Sequence, residues 1–145
     1  MKLLDIQEKV VSLLESAPYF SGRRLPVIAE DRGDVLKRLD AAIARAKKCI
    51  LVQTPGFKIT SSASKVMVGV VSLVVQCIER LPTGRQGDGA TAQDMAEVVA
   101  WTLNLQPVDG AGVLVARSIQ GEELDDTTLS YAVVFEVEAA LGDPT

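Results

Sequence analysis

The sequence predicts an α+β domain of two layers, a mainly antiparallel β-sheet packed with helices, in the order α-β-α-β-β-α-β-β over a single domain, 1–145. Three observations predict it. Apolar residues recur at helical spacing in 3–16, 31–48 and 91–105. A valine-rich run at 65–80 has the composition of a strand, and 112–141 carries two strand-like segments across a polar connection. A chain of 145 residues buries roughly two-thirds of its unfolded surface, enough for one sizeable core.

The first helix, 3–16, places Leu3, Ile6, Val10, Leu13 and Leu14 on one face, and Pro18 ends it. LPVIAED follows as a short strand at 25–30. The second helix has Asp31 and Asp34 at its start and Lys47 and Lys48 at its end, the charge order that suits a helix dipole. Its buried stripe reads Val35, Leu36, Leu39, Ile43 and Ala46. CILVQT, 49–54, reads as a strand closed by Pro55-Gly56, and SSAS supplies turn residues before the next.

The run KVMVGVVSLVVQCIER decides the architecture. As a helix it would show Lys65, Gly69, Ser72, Gln76 and Glu79 as a solvent stripe. As a strand it sets Val66, Val68, Val70, Val74 and Ile78 on one face, and Met67, Val71, Leu73, Val75 and Cys77 on the other. β-Branching restricts valine in a helix, and Gly69 would weaken a helix interior by about 1 kcal/mol relative to alanine, so the strand is the better reading. The third helix opens on Thr91 and Asp94 in the manner of a capping box, with Met95, Val98, Val99, Thr102 and Leu103 on one face and Trp101 beside it. GVLVARSI (112–119) and TTLSYAVVFEVEAAL (127–141) form a terminal antiparallel pair joined by QGEELDDT.

A strand apolar on both faces carries a consequence. Antiparallel sheets commonly keep one face wet, and three helices are few for both faces of five strands. One face of the central strand is therefore expected to meet another copy of the chain, through Val66, Val68 and Val70.

Composition narrows the function. A net charge of −4 argues against a dedicated nucleic-acid binder. The first residues are broken by Asp5, Gln7, Glu8 and Lys9 and do not read as a signal peptide, and there is no apolar run of bilayer length, so a cytoplasmic protein with no membrane role is expected. Histidine is absent, which removes Ser-His and Cys-His nucleophile pairs and most zinc sites. Cys49 and Cys77, in apolar surroundings without ligand spacing, read as buried free thiols.

The weaker signals each have a plainer explanation. LPTGRQGDGAT, 81–91, leads from strand to helix, the setting of phosphate sites, but has neither GxxxxGK[ST] nor GxGxxG. It reads as a mobile surface loop, with a small nucleotide- or ligand-binding enzyme using it as the alternative function. Glu122, Glu123, Asp125 and Asp126 lack the ligand pattern of a calcium loop and read as a solvated hairpin end. Arg32, Lys37, Arg38, Arg45, Lys47 and Lys48 are balanced by Asp31, Asp34 and Asp40 as a charged solvent face. Ser62, Ser64 and Lys65 hold the makings of a Ser/Lys pair without other hydrolase features. No cofactor or metal is expected.

Two segments carry a family resemblance. In VSLVVQCIERLPTGRQGDGATAQDMAEVVAWTL a hydrophobic strand ends in a charged residue and proline, crosses a Gly-rich loop and enters a long helix. DDTTLSYAVVFEVEAAL is a polar turn followed by Leu-Ser-Tyr and alternating apolar residues. With the N-terminal helix and paired central strands, the chain resembles the tail terminator (tail completion) proteins of long-tailed phages and prophages. The resemblance implies a structural subunit, not an enzyme, that forms a ring, typically a hexamer. Such a ring caps the tail tube protein and joins it to the head connector proteins. It implies assembly in the bacterial cytoplasm and a final place in the virion tail or neck. Arg85 and Asp88, in the loop after the central strand, are expected to make polar contacts across such a joint.

Overall fold

The computed structural model describes residues 2–30, 34–63, 65–80, 90–125 and 127–142. Among them are four helices and six strands: α1 (Leu3–Ser16), α2 (Pro18–Gly22), β1 (Val27–Ala29), α3 (Val35–Ala46), β2 (Lys48–Val52), β3 (Gly56–Ala63), β4 (Val66–Arg80), α4 (Ala92–Leu103), β5 (Val115–Asp125) and β6 (Thr128–Leu141). The fold is α+β, as the residue patterns indicate.

The sheet runs β1-β2-β4-β6-β5, with β1 parallel to β2 and every other pairing antiparallel. Parallel neighbours need a long crossover, and α3 supplies it between β1 and β2. β4 is the axis: β6 pairs with it from Met67 to Arg80, while β2 takes Val75–Glu79 and β3 takes Val66–Ser72 on its other edge. β2 and β3 are thus one edge interrupted at Pro55, bridged where the Gln53 N–H donates to the Val74 carbonyl.

The two faces differ. α1, α2 and α4 lie on one, over Ile50, Val52, Val71, Leu73, Val75, Cys77, Val133, Phe135 and Val137, which merge with Ile6, Val10, Leu14, Met95, Val99 and Leu103 in the main core. Burying each large aliphatic or phenylalanine side chain there is worth about 1.5–3 kcal/mol. α3 lies on the other face and packs only on Ile28, Cys49, Leu51 and Ile78 through Ala42 and Ile43.

Several elements depart from the sequence reading. Pro18 ends α1 but also starts α2, because a proline costs nothing at the first helical position, and the turn buries Phe20. β3 occupies a segment whose serines read as turn chemistry; pairing with β4 overrides that preference. The acidic stretch through Asp125 is strand rather than connection, paired with Thr128–Ala132. α3 ends at Ala46, and Lys47 takes the left-handed conformation (φ 63°) with its N–H on the Ile43 carbonyl. Lys48 then enters β2 and is buried rather than solvated. Leu36, expected in the α3 stripe, is 71% exposed, since contact is made by Val35, Leu39, Ala42 and Ile43.

Candidate interaction surface

Beyond the reach of α3, no described helix covers the second face of the sheet. Alternation along β4 turns Val66, Val68, Val70, Ser72 and Val74 toward it. Val66 and Val68 are 44% and 46% exposed, and Val70 and Val74 are half-buried. A furrow of about 450 Å³ crosses this face between Val70, Val113 and Val115, with Arg117 and Glu136 beside it. Arg117 Nε donates to Glu136 Oε1 at 2.7 Å; an ion pair this exposed adds little stability but fixes the polar margin of the furrow. The three valines singled out from sequence therefore do share one open face.

The β3–β4 hairpin that carries Val66 and Val68 depends on Gly69. A Cβ there would run into the Lys58 carbonyl oxygen and come within 3.0 Å of Phe57 Cζ, so only glycine lets the two strands close. Ile59 and Met67 are also exposed on this hairpin.

The N-terminus of α4 was the candidate phosphate site. Residues 81–89, with Arg85 and Asp88, lie outside the described residues. The helix start is described, and three of its N–H groups are engaged by side chains. The Asp94 N–H donates to Thr91 Oγ1, the Thr91 N–H to the Asp94 carboxylate, and the Ala92 N–H to Glu79 Oε1 at 3.1 Å. Two carboxylates already face the end of the helix where an anion would sit, which disfavours a phosphate there.

The remaining sequence candidates are structural. Cys49 and Cys77 are free and buried, on opposite faces: the ladder sets Cys49 opposite Ile78, and Ile50 opposite Cys77. Burial pushes the Cys49 thiol from 9.0 to about 12; Cys77 is raised further, by burial first and by Cys49 second. Neither thiol is a nucleophile at neutral pH. Asp125 accepts from the N–H and hydroxyl of Thr127, which closes the β5–β6 turn and lowers its carboxyl below the usual range. Ser62 and Lys65 are exposed at the hairpin turn; Ser64, Arg32 and Asp126 lie outside the described residues. Among the described residues no group of three metal-ligating side chains comes together, and no helix is long and apolar enough to cross a membrane.

One patch escaped the sequence reading. Trp101 is 88% exposed, with Leu105 at 64% and Ile119 at 43% beside it between α4 and β5. Its signal was present: at about 100° per residue, Trp101 falls about 160° from the centre of the Met95–Val99–Leu103 stripe, on the solvent side.

No protein-family model matches the chain, and neither does any curated protein. Among solved structures, a chain from the virion of a native gene transfer agent particle superposes with a TM-score of 0.69 at 15% identity, covering 93% of this chain and 94% of that one. At that identity the likeness shows the fold. A second solved chain, 12% identical over 95% of this chain and 98% of that one, has a TM-score of 0.47, too low to carry an argument.

Proposed function

We propose that the chain is a structural subunit of a phage-type particle. The observation that carries this reading is the likeness in fold, over 93% of the chain, to a chain from a gene transfer agent virion. Within that class we read it as a tail terminator or neck protein, a ring of copies, six in the simplest case, that caps the tail tube and meets the head connector. The uncovered face of β4, with Val66, Val68 and Val70, supports a role carried out by surfaces rather than by a catalytic pocket. Arg85 and Asp88 remain the proposed polar contacts at the joint. In this reading the subunit uses no cofactor, assembles in the host cytoplasm and ends in the virion.

Electron microscopy of the purified full chain, alone and mixed with tail tubes, tests it. Rings that seat on tube ends are the expected result. A protein that forms no rings and leaves tubes bare at every concentration would end the reading.

A further inference from the structure

Two apolar features stand at opposite edges of the sheet, and they differ in shape. At the β5 edge Trp101 and Leu105 project from the end of α4, a knob of two large side chains more than half exposed. At the β1 edge a groove of about 660 Å³ runs between α1 and α3, floored by Val27 and Ala29 and walled by Val11 and Ala41. β1 pairs on one side only, with β2; among the described residues no strand lies on its other edge, where Arg38 Nη2 donates to the Ala29 carbonyl.

We infer that the knob of one copy seats in the groove of the next, so that Trp101 enters the space between α1 and α3 of its neighbour. This rests on the reading of the chain as an assembly subunit and names the contact through which it assembles. Apolar lining and charge select a second copy as the occupant. An aromatic side chain buries roughly 150–250 Å² of surface, and the groove offers Val11, Val27, Ile28, Ala29 and Ala41 as apolar lining to receive it. The α3 wall carries Arg38 and Arg45, while Glu15 stands on the α1 wall. Glu97, exposed one turn before Trp101 on α4, gives the knob an acidic flank that complements the α3 wall. Exposed tryptophan flanked by smaller contacts is the composition of an interface hot spot. Because knob and groove differ, the contact is head-to-tail: an open row of copies keeps one knob free at one end and one groove free at the other, and it propagates until it closes.

The test needs no unknown partner. Trp101 is the protein's single tryptophan, so its emission reports this contact alone. On raising the concentration of the wild-type chain, emission should move to shorter wavelength and resist acrylamide as mass in light scattering rises. Trp101→Ala removes the knob and Ala41→Arg fills the groove; each should weaken self-association on the order of thirtyfold while circular dichroism stays native. Mixing the two variants should give a one-to-one heterodimer, because one intact knob and one intact groove remain. Wild-type oligomers in which Trp101 stays solvent-exposed, or a Trp101→Ala protein that assembles like wild type, would overturn this contact and leave the assembly reading standing. A wild-type chain monomeric throughout would remove both.

Discussion

Glu79, buried near the end of β4, reaches the first turn of α4 and accepts the Ala92 N–H at 3.1 Å. The bond joins the central strand to the helix across the loop that separates them in sequence. Lys48, also buried, stands opposite Glu79 in the β2–β4 ladder. Glu79→Ala would leave a helix donor unsatisfied in the interior and should lower stability by about 1.5–3 kcal/mol. Glu79→Gln, which keeps an acceptor, should cost less than Glu79→Ala. Urea midpoints for the two variants, at unchanged slope, check the order.

Buried thiols make stability fall in alkali. The folded pKa of Cys49 is about 12 against 9.0 in the open chain, and that of Cys77 is also raised. Between those values the unfolded chain has released protons that the folded chain still holds, so stability is full below about pH 9 and declines above it. Each thiol contributes a slope of about 1.4 kcal/mol per pH unit within that window. The Cys49→Ala/Cys77→Ala double variant should lose less stability than wild type between pH 9 and 11. Equal slopes in urea titrations of the two proteins would contradict the burial of the thiols.

The elements legible in sequence were those whose own residues decide them. β4 declared itself through β-branching, and the start of α4 through Thr91 and Asp94, because both signals are local. β3 was not legible. Ser61 and Ser62 carry turn chemistry, and the strand exists because β4 offers a ladder to it. The length of β5 was hidden for a related reason: Gly121 lies under the Tyr131 ring, a cross-strand contact that no single segment reveals. The open face was foreseen from the doubled hydrophobicity of β4. Which face stays open depended on where α3 packs, a tertiary fact. Gln7 shows the same limit. Its Nε2 donates to the Glu30 and Val52 carbonyls, tying α1 to the ends of β1 and β2, yet in sequence it is one polar residue on a helix.

Gln7→Met, similar in size but without donors, should therefore cost about 1 kcal/mol, since two hydrogen bonds at the sheet end are lost while each carbonyl keeps another donor, the Glu30 N–H on Val52 and the Thr54 hydroxyl on Glu30. Thermal unfolding of the variant checks this, and a neutral result would mean that water replaces the amide at no cost.

Gly69→Ala tests the hairpin. The added methyl meets the Lys58 backbone, which yields only if β3 moves off β4. A loss of about 1–3 kcal/mol is expected. It should be local, with amide exchange quickening across Gly56–Ala63 more than in β6. Uniform acceleration throughout the sheet would mean that β3 is integral to the core rather than an arm attached to it.

The two faces of β4 should respond oppositely to charge. Val71 and Leu73 are 0% and 1% exposed under α1 and α4, and an aspartate at either would bury an unpaired carboxylate, which unfolds the protein or leaves it molten. Val68 is 46% exposed on the uncovered face, so Val68→Asp keeps its carboxylate in water and should change the urea midpoint little. If that face meets another subunit or the tube, the same substitution buries a charge in the contact and should prevent assembly. The expected pair of results is an unfolded Val71→Asp protein and a folded Val68→Asp protein that runs as a smaller species in light scattering. A folded Val68→Asp protein that still forms full-size assemblies and still binds tubes would show that the open face takes no part, and would leave the edge contact through Trp101 to carry assembly alone.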